Sequence, residues 1–122
     1  MMEDNMDTST RISQQIEKNP VLLYMKGTAM FPQCGFSAQV AHILDLCGVS
    51  FAYVNILENQ DIRQTLPQIA NWPTFPQLYI KKELIGGCDI ITELYESGEL
   101  VKLFEEAGIE TGQTSEAIVA AE

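Results

Sequence analysis

Along this chain the apolar residues alternate between short unbroken runs and a helical spacing, and the switches mark out the elements. Residues 21–25, VLLYM, are apolar without interruption between Pro20 and Lys26-Gly27, which predicts a strand covered on both faces. Residues 51–56, FAYVNI, mix aromatic and β-branched side chains and predict a second strand. Upstream, TSTRISQQIEK starts with hydroxyl residues suited to capping, sets Ile12 and Ile16 one turn apart and stops at Asn19-Pro20, a short first helix. Between the two strands, Val40, Ile43, Leu44 and Cys47 share one stripe of a helix over about residues 35–48, ended by Gly48.

Beyond the second strand, NQDIRQTL opens a helix that Pro67 is expected to break or restart. A strand over about residues 76–80 follows the proline-rich WPTFP, KKE turns the chain, and another short strand ends at Gly86-Gly87. Two closing helices set Ile90, Ile91, Leu94 and Tyr95, then Leu100, Leu103, Phe104 and Ala107, at helical spacing. Residues 109–122 are small and polar with a weak apolar patch and read as a flexible, frayed tail, and residues 1–9 as a flexible leading segment. One domain over residues 10–108 remains.

The order of these elements selects a topology. The first two strands flank a crossover helix, which makes a right-handed parallel unit. The last two are joined by so few residues that they form an antiparallel hairpin. An α/β fold follows, a mixed four-stranded sheet flanked by helices on both faces, which is the thioredoxin-like architecture.

The 122 residues suffice for one modest core. A formal net charge of −10 argues against nucleic acid and against anionic lipid as partners. The acidic start MMEDNMDTST has no apolar segment and reads as neither signal nor transit peptide, and no apolar run is long enough to span a membrane. The three cysteines, Cys34, Cys47 and Cys88, are odd in number and fit a reducing compartment. A cytoplasmic protein is expected.

The chemistry centres on Cys34, which ends a loop and opens a helix. Free backbone N–H groups and the helix dipole both favour a thiolate there, and Lys26 at the end of the preceding strand is a nearby cation. Cys47 falls on the apolar stripe of its helix and reads as core. His42 lies off that stripe, and Trp72 reads as a packing residue.

LYMKGTAMFPQCGFS, NWPTFPQLYI and GGCD, in this order and spacing, resemble the monothiol glutaredoxins of the CGFS type in their bacterial single-domain form. The likeness runs over about residues 10–108. It implies glutathione binding, with the glycine carboxylate held by Lys26 and Arg63. It also implies a cis Phe75-Pro76 bond that leaves the Phe75 backbone free to pair with the tripeptide. The γ-glutamyl end is expected at Gly86-Gly87 and the N–H groups of Cys88 and Asp89, with Asp89 accepting from its ammonium or serving only as a helix cap.

Two uses of a lone activated thiol stay in contention, besides a plain interaction module in which the thiol is incidental. One is monothiol disulfide exchange, in which glutathione regenerates Cys34. The other is ligation of a [2Fe–2S] cluster, which takes four thiolates as a rule: Cys34 from each of two protomers and two from bound glutathiones. Seven residues, GTAMFPQ, separate Lys26 from Cys34, more than in dithiol glutaredoxins, and in the family a longer interval accompanies poor exchange. The resemblance therefore favours a cluster carrier with at most weak oxidoreductase activity. Its partners are a homodimer mate, a BolA-like protein and apo iron–sulfur proteins. Ser37, where dithiol relatives have a second cysteine, then avoids an internal disulfide.

Overall fold

The computed structural model describes residues 7–120. Residues 1–6, most of the segment expected to be flexible, lie outside the described residues. The first helix, α1 (Thr8–Lys18), starts two residues before the expected domain boundary because the Asp7 carboxylate accepts from the Thr10 N–H at 2.8 Å. Strand β1 (Val21–Met25) leads to α2 (Gly35–Cys47), β2 (Phe51–Asn55) and α3 (Gln60–Ala70). Then come β3 (Gln77–Ile80), β4 (Glu83–Gly86), α4 (Cys88–Glu96), α5 (Glu99–Glu106) and β5 (Ala117–Val119).

The thioredoxin-like fold read from the element order is the one observed. β1 pairs parallel with β2 and antiparallel with β3, and β3 pairs antiparallel with β4. All five residues of β1 are buried, as an unbroken apolar run requires. Val21, Leu23 and Met25 point into a core with Val40, Ile43 and Leu44 of α2, Ile91 of α4, and Leu100 and Phe104 of α5. Leu22 and Tyr24 point the other way, toward Ile12 of α1 and Ile62 and Leu66 of α3. Helices thus cover both faces, and β1 runs out into the loop that leads to the start of α2.

Two expectations about local structure are corrected. Pro67 neither breaks nor restarts α3, which runs through it to Ala70. Proline costs a helix the hydrogen bond to the carbonyl four residues back. Here Pro67 lies in the last turn, so only the Arg63 carbonyl is affected before the helix ends at Asn71 in the left-handed conformation. The KKE turn makes the β3–β4 hairpin as expected, and does so without glycine, with Lys81 at φ +48° and Lys82 at +74°. The twisted hairpin calls for positive φ at both central positions.

The second correction concerns the tail. Where a frayed segment was expected, residues 117–119 form a fifth strand, parallel to β2, giving the sheet order β4-β3-β1-β2-β5. The approach is made by backbone and hydroxyl groups. Gly112 N–H donates to the Cys47 carbonyl (2.9 Å), Gln113 N–H to that of Gly48 (3.0 Å) and the Ser115 hydroxyl to that of Val49 (2.6 Å). Phe51 N–H then donates to the Glu116 carbonyl at 2.8 Å. Among the described residues no helix is long and apolar enough to cross a membrane.

Candidate functional site

Strand β1 ends at Met25, and the loop that follows folds back on itself. Gly27 bridges Pro32, Thr28 N–H donates to the Phe31 carbonyl (3.2 Å), and Gln33 N–H donates to the Lys26 carbonyl (2.9 Å). The long interval between Lys26 and Cys34 is therefore a small hairpin whose two ends meet. It lifts Met30 and Phe31 into solvent, 80% and 67% exposed, and leaves Lys26 beside Cys34.

Cys34 is the N-cap of α2, in extended geometry, and is partly exposed. The first intrahelical bond is made by Ala38 N–H to the Cys34 carbonyl, so the N–H groups before it are free for another acceptor. The Ser37 N–H does most to hold the Cys34 thiol below the usual cysteine range. Partial burial opposes it, while the Phe36 N–H, the Lys26 charge and the Ser37 hydroxyl reinforce it. Cys47 is the opposite case: it is buried in the core of α2, and desolvation pushes its thiol up.

A cavity of about 680 Å³ opens beside Cys34. Lys26, Arg63, Phe75, Cys88 and Asp89, each singled out from sequence, all line it. Neither Lys26 nor Arg63 has an ion-pair partner among the described residues, although the chain carries a formal charge of −10. Lys26 comes from the end of β1 and Arg63 from the face of α3 that turns toward it. Phe75 precedes Pro76 across a cis bond, as expected, and leads directly into β3.

At the far end Gly87 caps α4 without a side-chain hydrogen bond, and Ile91 N–H makes the first intrahelical bond, to the Gly87 carbonyl. The N–H groups of Cys88 and Asp89 are thus open to an anion. The side chain of Asp89 is exposed in the first turn and does not cap the helix, so the capping role left open for it is excluded. A Cβ on Gly87 would stand 3.2 Å from the Pro76 carbonyl oxygen and 3.6 Å from Trp72 Nε1. Glycine there lets α4 pack close against the Trp72–Pro76 loop. Among the described residues no three of His, Cys, Asp or Glu stand where they could hold a metal ion.

A family model described as Glutaredoxin matches residues 21–85. The chain belongs to the glutaredoxin family. It is 55% identical over 107 residues to Glutaredoxin 4 of Haemophilus ducreyi, covering 88% of this chain and all of that one. Among solved structures, reduced apo GrxS14 of poplar superposes with a TM-score of 0.72 at 50% identity, over 82% of this chain and 92% of that one. A buckwheat glutaredoxin in complex with glutathione does so with a TM-score of 0.70 at 26% identity, over 80% and 87%.

Two features of this glutaredoxin's site escaped the sequence reading. Trp72 is part of the cavity wall rather than core packing, and its buried indole Nε1–H has no hydrogen-bond partner among the described residues. Ser37, read only as the absence of a second thiol, is fully buried, and its hydroxyl accepts from the Lys26 N–H at 3.1 Å. That hydroxyl ties the end of β1 to α2 and also favours the thiolate. No local sequence signal separates a serine that avoids a disulfide from one that builds the site.

Ser37→Ala is accordingly expected to raise the pH at which Cys34 ionises. It should also cost about 1 kcal/mol of stability, because the Lys26 N–H loses its acceptor. Thiolate absorbance against pH reads the first effect and urea unfolding the second. An unmoved titration would assign the activation to the backbone N–H groups and Lys26 alone.

Proposed function

We propose that this glutaredoxin is a monothiol carrier of the CGFS type that binds [2Fe–2S] clusters as cargo with the help of glutathione and passes them to apo-proteins. The reading is carried by one observation: two cations without carboxylate partners line the same cavity as a single activated, partly exposed thiol. Such a cavity suits a small anionic thiol. Glutathione offers a glycine carboxylate for Lys26 and Arg63, a backbone for strand-like pairing with Phe75, and a γ-glutamyl carboxylate for the N–H groups of Cys88 and Asp89. The solved buckwheat complex with glutathione supports that ligand for the fold.

Cluster binding follows from the count of sulfurs. A [2Fe–2S] cluster takes four thiolates as a rule, and each protomer has one activated thiol at the cavity. Two protomers supply two, and two glutathiones supply the others. The exposed apolar side chains of Met30, Phe31 and Phe36 beside Cys34 are suited to burial between two such protomers. A BolA-like protein in place of the second protomer, and apo iron–sulfur proteins as recipients, complete the proposed set of partners.

The test is anaerobic reconstitution with iron and sulfide, with and without glutathione. Visible absorption bands and a dimer are expected only when the tripeptide is present. Equal colour without it would overturn the reading.

The depressed thiol pKa also favours a second reading, monothiol disulfide exchange. In that reaction the Cys34 thiolate attacks the glutathionyl sulfur of a protein mixed disulfide and expels the protein thiolate. A glutathione thiolate then attacks the Cys34 mixed disulfide, forming oxidised glutathione and restoring Cys34. Turnover matching a dithiol glutaredoxin in a glutathione-coupled assay would put this reading first.

A further inference from the structure

The Trp72–Pro76 loop supplies five residues of the cavity wall, yet it is poorly able to hold itself in place. Pro73 and Pro76 have no N–H. Trp72 N–H donates to the Pro67 carbonyl at 3.0 Å, which fixes only the start of the loop. The indole gives no polar anchor, since its Nε1–H has no partner among the described residues. What meets the loop from below is Gln77, the first residue of β3 and fully buried.

Gln77 uses its whole carboxamide. The Nε2 group donates to the Trp72 carbonyl at 3.1 Å and to the Thr74 carbonyl at 3.2 Å. Oε1 accepts from the Tyr79 hydroxyl at 3.1 Å, which sets the amide so that both its hydrogens face the loop. Burial pushes the Tyr79 hydroxyl up to about 12, so it remains a donor throughout the neutral range. Its ring packs edge-on against Tyr24, with centroids 5.8 Å apart, and the Tyr24 hydroxyl donates to Gln15 Oε1 at 2.8 Å. A chain of satisfied buried groups therefore runs from α1 through the sheet to two carbonyls of the cavity wall.

We propose that Gln77 is a positioning residue for the tripeptide: its two N–H bonds hold the Trp72–Pro76 loop, and with it the Phe75 backbone, at the register that ligand pairing needs. This rests on the glutathione reading above. Gln77 touches no ligand itself and acts through the loop. A buried amide with both hydrogens placed is a stiffer support than packing, because any shift of the loop leaves its carbonyls unpaired in a poorly solvated place.

The test compares the full chain with Gln77→Met, which keeps length and burial but loses both donors, and with Tyr79→Phe, which removes the hydroxyl and leaves those donors in place. Trp72 is the chain's only tryptophan, so its fluorescence and its single indole N–H resonance report on the loop without labels. Gln77→Met is expected to weaken glutathione binding about tenfold and to shift or broaden the indole resonance. Alkylation of Cys34 by a small reagent should be unchanged. Tyr79→Phe is expected to lose stability but to bind glutathione within about twofold of wild type. That split would not arise if Gln77 merely stabilised the fold.

Affinity in Gln77→Met within about twofold of wild type, with the variant folded, overturns the inference. If the wild type binds no glutathione, the functional reading fails instead. The indole resonance still decides the loop: unchanged in Gln77→Met, it overturns the role of the amide. Gln77→Glu keeps the side chain's shape and the acceptor for Tyr79, and gives the same comparison if the methionine variant does not fold.

Discussion

Cys34→Ser is expected to abolish cluster binding outright: after anaerobic reconstitution with glutathione the variant should stay colourless and monomeric. A serine hydroxyl does not ionise in water near neutral pH, so the free N–H groups of α2 and the Lys26 charge have no thiolate to stabilise, and iron loses the one sulfur each protomer offers it. The other two thiols are placed differently. Cys47 is buried with its pKa raised. Cys88 lines the cavity from the start of α4, where its sulfur is 3.9 Å from the Thr92 hydroxyl and not at the N-cap position that activates Cys34. The fold should be indifferent to the change. Cys34 is partly exposed and makes no side-chain capping bond, so a stability change within about 0.5 kcal/mol is expected. Visible absorption from iron, dimerisation by light scattering and urea unfolding together read the outcome. Full colour in Cys34→Ser would remove this thiol from the proposed ligand set.

Gly48→Ala is expected to be among the most destabilising single-methyl changes in the chain, by about 3 kcal/mol. Gly48 ends α2 at φ +68°, where a side chain costs about 1–2 kcal/mol by itself. The added Cβ would also stand 2.5 Å from the Gln113 nitrogen and 2.6 Å from that of Gly112. Both are backbone atoms, unable to swing aside as a long side chain does. The segment carrying β5 must back away, and the bonds from Gly112, Gln113 and Ser115 to the end of α2 and the start of β2 weaken together. Urea unfolding measures the total. Amide exchange separates the parts, since Phe51 N–H, bonded to the Glu116 carbonyl, should lose protection before the amides shared by β1 and β3. A loss of only about 1 kcal/mol, with Phe51 still protected, would mean that the tail adapts without leaving β2.

Much of the site is legible in the sequence, and for a local reason. A cysteine directly before an amphipathic helix is an N-cap by sequence alone, and the N–H groups that depress its pKa belong to the next residues of the chain. Lys26 and Cys34 are close in sequence, and the hairpin between them keeps them close in space. Phe75 and Cys88 were assigned by family likeness. Arg63 was assigned in the same way, and it lines the cavity from α3.

What escaped depends on surroundings that no window of sequence contains. Ser37, Trp72 and Gln77 are ordinary letters in their segments. Their roles come from the Lys26 N–H, the packing of α4 at Gly87, and two carbonyls in a preceding loop. The fifth strand escaped because a three-residue strand has almost no periodicity, and its place depends on the open edge of β2 and on a glycine more than sixty residues earlier. The chain's pattern of apolar runs and helical stripes determined the order of the elements, the thioredoxin-like topology and the position of the thiol, because each is set by neighbours along the backbone. The tertiary structure alone decided which polar groups meet across the sheet and where the tail lies. A hydrogen bond requires two groups within about 3 Å, and for residues far apart in the chain only the fold brings them that close.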